Sequence, residues 1–495
     1  MSGGASLPSG CLLDRRVRTD FDDYDEEDLL ALQPFTILRS VEKKASGFYY
    51  YQDDADKMVQ RVQVGVHLAD TPPGISCLGL RGVSPVTNIE AVDGNIIVFT
   101  TTLLHDLGRI VYLIYDSVKG SVHMIPAPES PSWVFTGLTI HILLGRPSRH
   151  GSDDDYALVL AGKLEDFPGS GRLQDALLMW RPTSSSSPPW SKIKKACFPA
   201  EASCWDVYQA DMVFSYRGRG LWVDLLRGIS YCDLDALLDN YNDDDDLVVA
   251  FGFIHLPVNV KPTDHHRGSS GVSSEPKAFR TIGVTQKSLL RFVSIDGFLE
   301  EHVELKDRSI SIWTLGQKGW ELDCNIRLEL LWGFKGFGDL PKDMTPMYPL
   351  HCAEHSHIVY FALGEYREKP MGRTFIRQRY VLAVDWRAQT VQASSLADCF
   401  VGSHNLDLVS SDFNSHLRTV GLDLHIMVME TMKQLALSSL DPFDYDEAAA
   451  TTIMKERPWR WQETLEEEGW SKCGSRAVLP ARYYYGPLPY GPWSP

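Results

Sequence analysis

A short strand–turn–strand unit recurs along this chain, and its repetition limits the possible folds more than any other feature. The unit is clearest at residues 309–323. Apolar and polar residues alternate up to Trp313, as in a strand with one buried face. Leu315-Gly316-Gln317-Lys318-Gly319 supplies turn chemistry, and Trp320 and Leu322 resume the two-residue period. The same arrangement is read at 111–125, at 177–193 around a Pro/Ser loop, at 221–232 and at 380–393. Each copy has an aromatic near the end of its first strand: Tyr115, Trp180, Trp222, Trp313 and Trp386. A propeller blade needs about 40–50 residues. The interval from Trp180 to Trp222 fits directly, the one from Trp222 to Trp313 leaves room for a degenerate blade, and the others require insertions. Polar stretches at 152–155, 242–246 and 262–276 are suited to be such insertions, as surface loops. The expected fold is therefore all-β: a β-propeller-like array of antiparallel sheets in which the five hairpins are outer-strand pairs of successive sheets. A stacked or sandwiched all-β arrangement is the alternative.

The rest of the chain fits around these units. With 495 residues, 44% of them hydrophobic, there is material for one large core or two smaller ones. Thirteen Trp, 20 Tyr and 20 Phe suit β-rich packing. Residues 47–51 and 62–68 read as strands around an Asp-rich loop, and 89–99 as a hairpin turning at Asp93-Gly94. Seven of the nine residues from Asp20 to Asp28 are acidic, so residues 1–30 are expected to be a solvated, disordered acidic tail. The β-rich domain is expected over 31–440. Near its end Leu417, Val420, Leu424, Met427, Val428, Met432 and Leu435 fall at helical spacing, which predicts a C-terminal amphipathic helix. Residues 441–495 read as a tail whose Pro/Tyr/Trp-rich end is disordered when free.

A formal charge of −17 disfavours phosphate contacts and argues against nucleic acid as a partner. The longest weakly polar run, 134–145, is too short to span a bilayer, so no membrane partner is expected. The start of the chain lacks the pattern of a secretory signal, and nine scattered Cys suit a reducing compartment, cytoplasmic or nuclear.

Sites for chemistry are few. His351-Cys352-Ala353-Glu354-His355-Ser356-His357 contains His-x-x-Glu-His, which binds zinc only when a helix places both His on one face. Pro349 and the strand-like Ile358-Val359-Tyr360-Phe361 leave no room for that helix. His351, Cys352, His355 and His357 remain weak candidates for a loop metal site, without a Cys-x-x-Cys to complete it. Ser76, in Gly74-Ile75-Ser76-Cys77-Leu78-Gly79, resembles a nucleophile elbow with its second Gly misplaced. No catalytic residue, cofactor or resident metal is expected. Arg373, Arg377 and Arg379 lie in the one basic cluster, able to grip an acidic partner. Tyr490 and Trp493 lie among Pro-x-x-Pro spacings of the kind that aromatic grooves recognise.

Several short stretches, taken in order, carry a family resemblance. They are Leu32-Gln33-Pro34-Phe35, Trp222-Val223-Asp224 with Arg227-Gly228-Ile229 and Cys232-Asp233, Trp313-x-Leu315 with Trp320 and Asp323, Leu331-Trp332, Leu340-Pro341, Tyr348-Pro349 and Val359-Tyr360-Phe361-Ala362-Leu363. From about residue 30 to about residue 415 the chain resembles the grass-expanded plant family called domain of unknown function 1618. The resemblance implies a fold and a lineage, and no mechanism. Some relatives carry an F-box ahead of this domain, and the start of this chain, up to Ser40, lacks its Leu-Pro-rich pattern. The expected function is a non-enzymatic protein-interaction module with loops on a rigid β scaffold. The alternatives are a hydrolase with carboxylates in a propeller channel, or a substrate adaptor related to F-box-associated proteins.

Overall fold

The computed structural model describes residues 11–411 except 16, 20–35, 39, 49–51, 68, 70–72, 84–86, 103–109, 129–132, 135–141, 146–155, 166–172, 183–189, 191, 200–209, 240–247, 258–275, 286–288, 299–301, 353–354, 369–373 and 396–407. The chain divides into units 1–421 and 422–495. The second unit lies outside the described residues, as do the helix expected at 417–435 and the Pro/Tyr/Trp-rich end.

The described strands form six sheets. Blade 1 orders Leu408–Ser411, Cys11–Asp14, Ile75–Arg81, Gln63–His67 and Thr36–Ile37. Blade 2 is the meander Asn88–Asp93, Ile96–Thr102, Ile110–Asp116, Ser121–Pro126, with Glu42–Ala45 added in parallel outside. Blade 3 is built from Ile142–Gly145, Ala157–Glu165, Leu173–Trp180 and Lys192–Cys197, with Val248–Ala250 added in parallel. Blade 4 is Met212–Tyr216, Arg219–Asp224, Gly228–Asp233 and Gly252–His255. Blade 5 is Arg280–Val284, Leu290–Asp296, Ser309–Gly316 and Gly319–Arg327. Blade 6 is Thr345–His351, Ile358–Glu368, Thr374–Asp385 and Thr390–Ser395.

Packing shows that these sheets close into a ring. The buried apolar residues fall into six clusters, and each joins two consecutive blades. Leu78 and Leu80 of blade 1 meet Phe99 and Leu113 of blade 2. Clusters of the same kind link blades 2 and 3, 3 and 4, 4 and 5, and 5 and 6. The sixth sets Ile75 and Cys77 of blade 1 against Cys352, Tyr360 and Val381 of blade 6. Every blade is thus covered on both faces, which explains unbroken runs such as Ile96-Ile97-Val98-Phe99. Ile97 and Phe99 face blade 1, while Ile96 and Val98 face blade 3. The chain forms the expected all-β propeller, with six blades, sealed where Leu408–Ser411 pairs antiparallel with Cys11–Asp14.

The recurring aromatics have a common direction. Tyr115, Trp180, Trp222 and Trp313 are buried, and each sits in the cluster shared with the preceding blade. Trp386 faces blade 5 in the same sense but is only half-buried, because it lies in the turn beyond its strand. Recurring Asp residues close neighbouring turns. Asp116 Oδ1 accepts from the backbone N–H of Val118 and Lys119 at 3.0 and 3.1 Å, and Asp385 Oδ1 from those of Arg387 and Ala388 at 3.0 and 2.8 Å.

Some expectations are corrected. The hairpin at 221–232 is the middle pair of blade 4, since Gly252–His255 lies outside it, and those at 111–125 and 177–193 each have a parallel strand beyond them, so only 309–323 and 380–393 are outermost pairs. Trp222 is therefore one strand earlier in its blade than Trp313 is, and among the described residues no extra blade lies between the two. The Asp-rich stretch is the helix Gln52–Arg61, not a loop: Ala55 and Val59, four apart, are buried, with Asp53 and Asp54 at the positive end of its dipole. Gly47 and Phe48 are not in a strand, and 49–51 lie outside the described residues. Within the expected tail 1–30, Cys11–Asp14 is a strand because Leu13 is fully buried between blades 1 and 2.

Candidate functional site

Buried charge concentrates on the two seams of blade 5. On the blade 4 side, Arg280 opens the first strand of blade 5, 6% exposed and beside the Phe279 ring. The register Arg280–Ser294–Ser311–Asn325 carries one polar row across all four strands. Asp296, two residues from Ser294, accepts from Ser294 Oγ at 2.8 Å and from Ser311 Oγ; Asn325 Nδ2 donates to Ser311 Oγ at 2.8 Å. Blade 4 answers with its turn. Arg280 Nη1 donates to the Leu225 carbonyl at 3.0 Å, and Asp211 Oδ2 accepts from the Leu225 N–H at 2.8 Å. Asp224 accepts from the Leu226 N–H and from Arg227 Nη1, both at 2.9 Å. Burial lowers the Arg280 pKa to about 10, opposed by the charges of Asp296, Asp224 and Asp211, so the side chain stays a cation.

On the blade 6 side Arg291 is the centre. Its Nε donates to Thr314 Oγ1 at 3.1 Å, its Nη2 to Asp323 Oδ2 at 2.9 Å, and its Nη1 to the Ser356 carbonyl of blade 6. Thr314 Oγ1 also donates to Asp323 at 2.6 Å. Two guanidiniums lie over the Trp386 ring, with Arg291 Cζ 5.9 Å and Arg387 Cζ 5.0 Å from its centre. His351, 6% exposed, is hydrogen-bonded to the backbone of Arg291. Burial, and then the Arg291 charge, push its pKa down to about 3. It fills the space above Gly283, where a Cβ would come within 2.8 Å of His351 Cδ2. The Nε2 of His351 has no hydrogen-bond partner among the described residues.

The four candidate metal ligands do not converge, although the rings of His355 and His357 lie 5.7 Å apart. His351 faces blade 5, and Cys352 joins the cluster of blades 6 and 1, taking a hydrogen bond from the Tyr360 hydroxyl at 3.4 Å. His355 is exposed, and His357 lies 3.3 Å from Asp385. Among the described residues no three His, Cys, Asp or Glu side chains gather to hold an ion. Ser76 sits inside the strand Ile75–Arg81, its Oγ accepting from the Ala69 N–H at 3.1 Å, so it is no strand-to-helix nucleophile. The backbone of Arg377 and Arg379 lies in the strand Thr374–Asp385, while Arg373, Tyr490 and Trp493 are outside the described residues. Sequence reasoning singles out neither Arg280 nor Arg291. Each gathers its partners from strands and turns distant in the chain, and a lone Arg inside an apolar strand is the only local sign.

Both buried arginines fall inside a stretch that matches a family model. Residues 222–360, from the second strand of blade 4 to that of blade 6, match the family described as Protein of unknown function (DUF1618). The family expected from the sequence is the one found. The DUF1618 stretch has blade 5 at its centre, whole, with Arg280 and Arg291 on its two faces. No curated protein matches the chain. Similar solved structures include an ancestral GH74 enzyme, at 13% identity and TM-score 0.30, covering 63% of this chain and 34% of that one. A Bombyx mori GH32 beta-fructofuranosidase follows at 9% and 0.26, covering 63% and 64%. The beta-propeller domain of the Trilobed protease from Pyrococcus furiosus stands at 10% and 0.23, covering 68% and 74%. The chain thus spans about a third of the GH74 enzyme and just under two thirds of the fructofuranosidase. Likeness this low carries nothing about activity. No described helix is long and apolar enough to cross a membrane.

Proposed function

We propose that this chain is a non-enzymatic protein-interaction module whose binding surface is the outer rim of blade 5. One observation carries the reading: the outermost strand of blade 5 and the short helix Leu328–Leu331 that follows it each stand a large apolar side chain in solvent, Leu322 at 49% and Leu330 at 55% exposure. Arg280 and Arg291 bond to turns of the neighbouring blades, and the Asp groups of the seams hold the strands and turns on either side. They serve as braces, which suits a scaffold that keeps its shape while presenting a surface. Arg373, Arg377, Arg379, Tyr490 and Trp493 are further candidate contacts, and a cytoplasmic or nuclear setting suits the cysteine usage.

Proximity labelling with the full chain, followed by reconstitution from purified components, tests this. A reproducible partner that co-elutes with the chain in fixed ratio supports it. Failure of every labelled protein to bind the purified chain overturns it.

A further inference from the structure

The outer edges of the blades are not treated alike. Blade 2 is extended by Glu42–Ala45 and blade 3 by Val248–Ala250, each lying parallel to the fourth strand. The edge of blade 6 is met by Lys335, also parallel: its N–H donates to the Gln389 carbonyl at 3.1 Å and its carbonyl accepts from the Val391 N–H at 2.8 Å. That approach needs Gly336, at φ +95°, where a Cβ would stand 2.1 Å from the Val391 carbonyl oxygen. Two blades of this fold therefore already accept an extra strand at the rim, and a third accepts a single-residue bridge. Blade 5 ends on Gly319–Arg327, nine residues long, and no strand pairs with its outer side among the described residues. The outermost strands of blades 4 and 1 are only four and two residues long. A long edge strand with unpaired backbone groups is a template for strand addition.

The side chains of that edge state what would fit. The bulge opposite Ile312 and Trp313 divides the strand. Trp320 and Leu322 lie on the blade 4 side, where Leu322 is opposite Trp313. Glu321, opposite Thr314, lies on the blade 6 side, as does Asp323 with its bond to Arg291. An added strand alternates its side chains in the same way. It meets an apolar group on one face and exposed acid on the other. A second copy of this chain fits badly, because antiparallel self-pairing centred on Leu322 sets Glu321 against Asp323 of the other copy, and centring it on Asp323 sets the two Asp323 against each other.

We propose that the outer edge of blade 5, Gly319–Arg327, takes up an extended peptide segment of a partner protein as a fifth strand, and that this segment alternates apolar and basic residues. The inference rests on the interaction reading above and names its partner's chemistry. Basic side chains answer Glu321 and Asp323, and apolar ones cover Leu322.

The test is a fluorescence anisotropy titration of the full chain with a labelled ten-residue peptide of alternating Val and Lys. Two controls are the same peptide N-methylated on alternate amides, and a Ser/Lys peptide of equal charge. Both controls are expected to bind at least tenfold more weakly, as are the chains carrying Leu322→Asp or Glu321→Lys with the unmodified peptide. Equal binding of the N-methylated peptide overturns strand addition, and equal binding by both variants overturns the blade 5 edge as the site. Both positions are exposed, so melting temperatures should match the parent chain. Should a variant melt lower, the N-methylated peptide against the unaltered chain decides. A negative result here combined with a reconstituted partner removes the edge and leaves the module; failure of reconstitution removes the module itself.

Discussion

Replacing His351 with Gln should remove a measurable share of the protein's acid sensitivity. The imidazole is buried, hydrogen-bonded to the backbone of Arg291, and held at a pKa of about 3 against 6.5 in the unfolded chain. The folded state therefore binds fewer protons than the unfolded state between these values. Stability from this group is complete above pH 6.5 and is lost as pH falls toward 3. At pH 5 the unfolded chain carries the proton almost fully while the folded chain carries almost none, which disfavours folding by about 2 kcal/mol. Gln titrates nowhere in this range and keeps a donor for the Arg291 backbone. Urea unfolding of both chains at pH 7.5 and pH 5.0 gives four free energies. The parent should lose about 2 kcal/mol more than His351→Gln between the two pH values. Carboxylates titrate in both proteins and cancel in the difference. Equal losses would refute the reasoning, as would an NMR titration in which the His351 ring protonates near pH 6.

The ring makes other expectations sharp. Trp222→Ala should lower unfolding stability by about 3–5 kcal/mol, because the indole is 2% exposed between blades 3 and 4. Trp386→Ala, at a half-buried turn, should cost clearly less by the same urea measurement. Arg280→Met should cost about 3–5 kcal/mol, since it strips the cation from Asp296, Asp224 and Asp211 and the donor from the Leu225 carbonyl. Deleting residues 1–15 removes the strand that seals the ring, so hydrogen exchange at 408–411 should speed up by orders of magnitude while blade 4 amides change least.

How much of this can be read from the sequence depends on the distance over which each feature is encoded. Hairpins are local: alternation, a Gly- or Asp-rich turn and a return strand follow one another directly, and all five fall in real strand pairs. The single-face reading of residues 309–313 is too simple, because a propeller blade buries both faces; Ile310 and Ile312 face blade 6 and Trp313 faces blade 4. The helix at 52–61 is hidden by its acid content, which marks a loop although Ala55 and Val59 have the spacing of a buried stripe. The first strand is hidden in the same way, a short segment with two leucines beside a long acidic run. The seams cannot be read at all. Arg291 gathers Thr314, Asp323 and Ser356 from three later segments, and no local pattern announces which strands will lie side by side.

The seal of the ring has a consequence for synthesis. Cys11–Asp14 leaves the ribosome early, and its antiparallel partner Leu408–Ser411 follows only after the strands of all six blades have been made. At about 5–20 residues per second, the first strand waits on the order of a minute for its mate. Throughout that time blade 1 lacks its innermost strand, and Ile75 and Cys77 have no sixth blade to cover them. A nascent chain in this state offers an unpaired strand and an apolar face to any neighbour on the same message. Holding factors, and the pace of translation through the last blade, should therefore govern the yield of closed rings more than the stability of the finished one does.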